Sequence, residues 1–150
     1  MQLILWRHAE AEEGVPDMAR ALTKKGQKQA GDMATFLRGH LPPDTRILVS
    51  PAKRTQQTAQ ALNRPFMTDP DIAPGCSPQA VLQAANWPNE DDCVLIVGHQ
   101  PALGAVAGLL MTGQLQYWSI KKGAVWWFSR RERDGDAQTI LRLTISPDFL

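Results

Sequence analysis

Val94-Leu95-Ile96-Val97-Gly98-His99-Gln100-Pro101 is the stretch that decides the fold. Four apolar residues in succession lack the alternation of a strand wetted on one side. They describe a strand covered on both faces, as in a parallel sheet lying between helices. Gly98 permits close backbone approach beside His99, and Pro101 is placed to open a helix whose positive dipole end faces the same crevice. Two other runs end in the same manner: Leu3-Ile4-Leu5-Trp6 on Arg7-His8, and Ile47-Leu48-Val49-Ser50 on Pro51 and Arg54. Ligands of open parallel sheets bind beyond the carboxyl ends of the strands, where loop amides and helix N-termini point. Two histidines and two arginines therefore converge, and imidazole with guanidinium groups suits the several anionic oxygens of a phosphoryl group.

Outward from these strands the chain alternates strand and helix, which predicts an α/β fold. The expected form is a three-layer α/β/α sandwich with a mostly parallel central sheet and a C-terminal antiparallel hairpin. Ala9 to Ala21, broken by Gly14 and Pro16, reads as a loop over the site. From Thr23, an N-cap, the residues Ala30, Met33, Ala34, Leu37 and Leu41 recur at spacings of three and four and predict an amphipathic helix. Ser50-Pro51 supplies an N-cap and first-turn proline for a helix over Ala52 to Leu62, with Arg54 in its first turn. Five breakers between Asn63 and Pro78 leave room for a brief strand only, followed by a helix over Pro78 to Ala85. Ala124 to Phe128 and Thr139 to Ile145 form the predicted hairpin, with Asp134-Gly135 between them. Trp118, Trp126 and Trp127 read as sheet and core residues.

The totals narrow the function classes. The 150 residues fit one domain spanning 1–150, in which roughly 70% of the unfolded chain's surface can be buried. Sixteen Lys plus Arg against fifteen Asp plus Glu, a formal charge of +1, recommend neither nucleic acid nor an anionic membrane as partner. Cys76 and Cys93 read as free thiols, and their spacing from His8, His40 and His99 matches no familiar zinc pattern. No metal or other cofactor is implied. The opening Met1-Gln2-Leu3-Ile4-Leu5-Trp6 lacks a basic leader, and no apolar run reaches membrane-spanning length, so a soluble cytoplasmic protein is expected. A monomer is the expected oligomeric state.

A histidine at a strand end, by itself, serves structure more often than chemistry. Arg7 beside His8 shifts that balance, because a buried arginine needs an anionic or carbonyl partner. Arg54 alone would pass for a surface helix residue and Arg20 for a loop residue. His40, near a helix end, reads as structural.

With these residues in place, Trp6-Arg7-His8-Ala9-Glu10, Leu22-Thr23-Lys24-Lys25-Gly26, Ser50-Pro51-Ala52-Lys53-Arg54-Thr55 and Val97-Gly98-His99-Gln100-Pro101 resemble the histidine phosphatase, or phosphoglycerate mutase-like, superfamily. The short length and the Arg-His-Ala-Glu-Ala opening are similar to its SixA type, small phosphohistidine phosphatases without a cap domain. The resemblance makes His8 the nucleophile, Arg7 and Arg54 phosphate clamps, His99 the second histidine and Arg20 an extra phosphate-binding arginine. It places a general acid, where one is used, between the second and third strands, with Asp71 the candidate and Glu10 and Asp69 competing. Ala9 and Thr55 depart from the commoner glycine and alanine. The implied substrate is phosphohistidine on a protein such as a phosphotransfer domain. Small phosphate esters are the alternative, and a non-catalytic phosphate-binding module is an alternative of another class.

Overall fold

The computed structural model describes residues 1–89 and 91–150. In chain order the elements are β1 (Gln2–Arg7), α1 (Lys24–Arg38), β2 (Arg46–Val49), α2 (Lys53–Gln60), β3 (Met67–Thr68), α3 (Pro78–Ala84), β4 (Cys93–Gly98), α4 (Ala102–Thr112), β5 (Val125–Arg133) and β6 (Asp136–Ile145). Among the described residues the strands form one sheet in the order β3-β2-β4-β1-β5-β6. The first four run parallel, β5 is antiparallel to β1, and β6 closes the edge as a hairpin with β5. No helix among the described residues is long and apolar enough to cross a membrane.

The two-residue period of the central strands builds the layers. Ile4, Trp6, Ile47, Val49, Leu95 and Val97 pack with Met33, Ala34 and Leu37 of α1 and Ala59 of α2. Leu3, Leu5, Leu48, Val94 and Ile96 point the other way, against Val81 of α3 and Leu103, Val106 and Ala107 of α4. The helix that follows β1 thus covers one face, and the helix that follows β4 covers the other. That divergence opens a crevice between two neighbouring strands, at their carboxyl ends.

Local chemistry sets the boundaries, and three expectations need correction. The second helix starts at Lys53 with Ala52 as N-cap, so neither Ser50 nor Pro51 holds the expected cap and first-turn positions. The Ser50 hydroxyl still accepts from Ala52 N at 3.3 Å, and it also meets His99 Nε2 at 2.7 Å. The hairpin strands run on to the Asp134-Gly135 turn, because positive φ at both turn residues matches the twist of a tight hairpin and keeps the charged Arg130–Arg133 stretch paired. Trp118 lies outside the sheet, before β5, with its ring 5.7 Å from that of Trp126. The Thr23 cap is as expected: its hydroxyl accepts from Gly26 N.

Candidate active site

Backbone pairing brings the histidines together. Arg7 lies opposite Gly98 in the β1–β4 register, His8 N donates to the Gly98 carbonyl at 3.1 Å, and Ser50 N donates to the Val97 carbonyl at 3.1 Å. The His8 and His99 ring centroids are 5.4 Å apart. His8 Nδ1 lies 2.7 Å from the Ala9 carbonyl oxygen, which can only accept, so Nδ1 carries the proton. The neutral ring therefore presents a free lone pair at Nε2. Burial pushes His8 down to about 4, the Ala9 bond opposing and the charges of Arg54, Arg7 and Arg20 adding to the effect. His99 falls to about 3, through burial first and then Arg54 and His8. Both imidazoles are neutral at pH 7.

The loop after His8 is fixed from two sides. Ala9 N donates to the Thr58 hydroxyl of α2 at 3.1 Å, and that hydroxyl donates to the Arg54 carbonyl at 2.8 Å. On the other side α1 approaches so closely that a Cβ at Gly26 would overlap the Glu10 carbonyl. The Thr23 hydroxyl donates to the Glu10 carboxylate at 2.7 Å, so Glu10 serves to hold the loop.

Arg7, Arg54 and His99 are each held at one side and open at another nitrogen. Arg7 Nη1 donates to the Ile120 carbonyl at 2.8 Å, His99 Nε2 lies 2.7 Å from the Ser50 hydroxyl, and Arg54 donates through Nη1 and Nη2 to Asp17. Arg7 Nε, Arg54 Nε and His99 Nδ1 are buried without a partner among the described residues. An unmet buried polar group costs about 1–3 kcal/mol. Three such groups, on His99 beside the His8 ring and on two arginines whose charges reach it, suit a ligand rich in acceptor oxygens.

The structure thus brings Arg7, His8, Arg54 and His99 together, as expected. Arg20 joins them indirectly: its Nε donates to the Glu12 carbonyl at 2.7 Å and its Nη1 to Asp17 at 3.1 Å. Asp71 is exposed on the one-turn helix Pro70–Ile72, and its carboxylate bonds to none of the four. Its amide donates to the Asp69 carboxylate at 2.9 Å. His40 donates to or accepts at neither histidine; its Nδ1 meets the Phe36 carbonyl at 2.7 Å, the structural role expected. Sequence reasoning missed Thr58 and Asp17 as contributors and gave Ser50 only a capping role. Asp17 stands three residues before Arg20.

Residues 3–76 match the profile of the Histidine phosphatase superfamily (branch 1). The chain is 32% identical over 126 residues to the phosphohistidine phosphatase SixA of Escherichia coli (strain K12), covering 76% of each protein. It is also 32% identical over 126 residues to a SixA homolog of Haemophilus influenzae, covering 73% of this chain and 77% of that protein. The structure of a protein histidine phosphatase SixA complexed with tungstate superposes with a TM-score of 0.79 at 27% identity, over 99% of both chains. Fold and sequence likeness place the chain in the histidine phosphatase superfamily, branch 1.

Proposed function

We propose that this protein is a metal-independent phosphohistidine phosphatase that works through a covalent phosphoenzyme on His8. The observation that carries the reading is the set of three buried, unpartnered nitrogens, Arg7 Nε, Arg54 Nε and His99 Nδ1, beside an imidazole whose Nε2 is free. The His8 Nε2 lone pair attacks phosphorus, the bond from phosphorus to the substrate imidazole nitrogen breaks, and that nitrogen keeps the electron pair and takes a proton from solvent. Water then attacks the phosphoenzyme, the bond from phosphorus to Nε2 breaks, and phosphate leaves with His8 restored. Throughout, Nδ1–H stays bonded to the Ala9 carbonyl and holds the ring in one tautomer. The three nitrogens stabilise the phosphoryl oxygens, the Ser50 hydroxyl donating to His99 Nε2 so that Nδ1 is a donor.

The proton donors support this substrate class. Asp17, the carboxylate bonded to the pocket arginines, is held below the usual carboxylate range by its hydrogen bonds to Arg20 and Arg54, so it is no acid at neutral pH. Asp71 stands apart. A phosphoramidate needs no strong acid, whereas an alkoxide leaving group does. Only 44 residues lie between Arg54 and His99, enough for the fold and little more, which suits a phosphorylated side chain on a protein such as a phosphotransfer domain. The named SixA relatives support the same class.

The test is rapid quenching with a chemically phosphorylated histidine phosphotransfer domain. A base-stable, acid-labile phosphoenzyme should form, and His8→Ala should not form it. Phosphate release without that species rejects covalent catalysis, and phosphate binding without turnover means a binding module. Dominant activity on small esters that Asp71→Asn abolishes would replace the phosphohistidine assignment.

A further inference from the structure

Between β1 and α1 the chain makes a one-turn helix, Asp17–Ala19, that lies against α2. Its first residue touches two of the pocket cations. The Asp17 carboxylate meets Arg54 Nη2 with Oδ2 at 3.1 Å and Arg20 Nη1 with Oδ1 at 3.1 Å, while the Asp17 backbone carbonyl accepts from Arg54 Nη1 at 2.9 Å. Arg54 is 5% exposed and the Asp17 side chain 53% exposed, so a buried guanidinium is gripped from the solvent side. The grip uses the two terminal nitrogens of Arg54 and leaves Nε, buried and unpartnered, for a ligand.

We propose that Asp17 is a positioning residue: its carboxylate bridges Arg54 and Arg20 and sets the guanidinium plane of Arg54 so that Nε faces the transferred phosphoryl group. The assignment rests on the pocket being a phosphoryl site, and so deepens the functional reading above. Arginine is planar, with five donors in a fixed fork, so clamping one edge determines where the other edge points. Arg20, tied at Nε to Glu12 and at Nη1 to Asp17, anchors the carboxylate from the opposite side. Asp17 also offsets one of three guanidinium charges at the pocket. The alternative role for the same contact is a plug that substrate must expel, and the two roles predict opposite signs.

The deciding experiment uses inorganic phosphate as probe. Its affinity for the whole protein is measured by calorimetry for wild type, Asp17→Asn and Asp17→Glu, with kcat and KM on the phosphorylated phosphotransfer domain alongside. Asparagine keeps the backbone bond to Arg54, but its amide presents an acceptor to one guanidinium only, so the bridge is lost. Phosphate binding should weaken by on the order of 10- to 100-fold, as for loss of one charge-assisted hydrogen bond. The kcat should fall with it, thermal unfolding should hardly move, and Asp17→Glu should recover much of the affinity. Unchanged or tighter phosphate binding in Asp17→Asn overturns the proposal, and tighter binding would mean a plug. If phosphohistidine is not turned over by any form while Asp17→Asn still weakens phosphate binding, the substrate reading fails and the role of Asp17 stands.

Discussion

Acid should unfold this protein through its two active-site histidines, and the size of the effect follows from their burial. In the unfolded chain each titrates near 6.5, whereas in the folded protein His8 is lowered to about 4 and His99 to about 3. Between these values the unfolded state binds more protons, so stability rises with pH across that window and is lost as pH falls through it. At pH 5 the unfolded chain has taken up both protons and the folded protein has taken up neither. With about 1.4 kcal/mol per pKa unit, the step from pH 7 to pH 5 costs about 2 kcal/mol for each histidine. Urea unfolding in phosphate-free buffer at the two pH values, for wild type, His8→Asn and His99→Gln, isolates the effect from the carboxylates. Asparagine keeps a donor for the Ala9 carbonyl and glutamine a polar end for Ser50, so packing is disturbed least. Each variant should lose about 2 kcal/mol less than wild type over that step. Equal pH dependence in wild type and either variant would refute the claim that burial keeps that histidine neutral. Added phosphate should stabilise wild type by mass action, more than it stabilises either variant.

Removing the Ser50 hydroxyl by Ser50→Ala leaves His99 Nε2 buried without its partner; a loss of about 1–3 kcal/mol in urea unfolding and a fall in turnover of about tenfold or more are expected. Gly26→Ala drives a methyl group into the Glu10 carbonyl, so it should destabilise by about 1–3 kcal/mol and lower phosphohistidine turnover by shifting the loop that carries Ala9. Unaltered unfolding of that variant would mean that α1 and the loop yield freely.

The strands that build the pocket were legible because burial on both faces leaves continuous apolar runs, as in Val94 to Val97, all fully buried. The amphipathic spacing of Ala30, Met33, Ala34 and Leu37 likewise announced α1, whose buried face holds those four residues. Arg7, His8, Arg54 and His99 were legible because each stands at a strand end or helix start, positions that the parallel sheet brings to one edge. Chain-local logic finds the bond from the Ala52 amide to the Ser50 hydroxyl but cannot see the second partner of that hydroxyl, His99, 49 residues away. Asp17 was visible only as a polar residue of a loop, since its i+3 neighbour Arg20 suggests a surface pair and nothing local suggests Arg54.

The sequence by itself determined the α/β layering, the polarity of the sheet and the four residues at its carboxyl edge, because periodicity and strand ends are properties of neighbouring residues. Tertiary structure decided which nitrogen of each imidazole and guanidinium is held and which is left open, through Ala9, Ser50, Ile120 and Asp17. Those bonds join separate loops and helices, and hydrogen-bond direction depends on where their atoms meet in space, so no spacing along the chain encodes it.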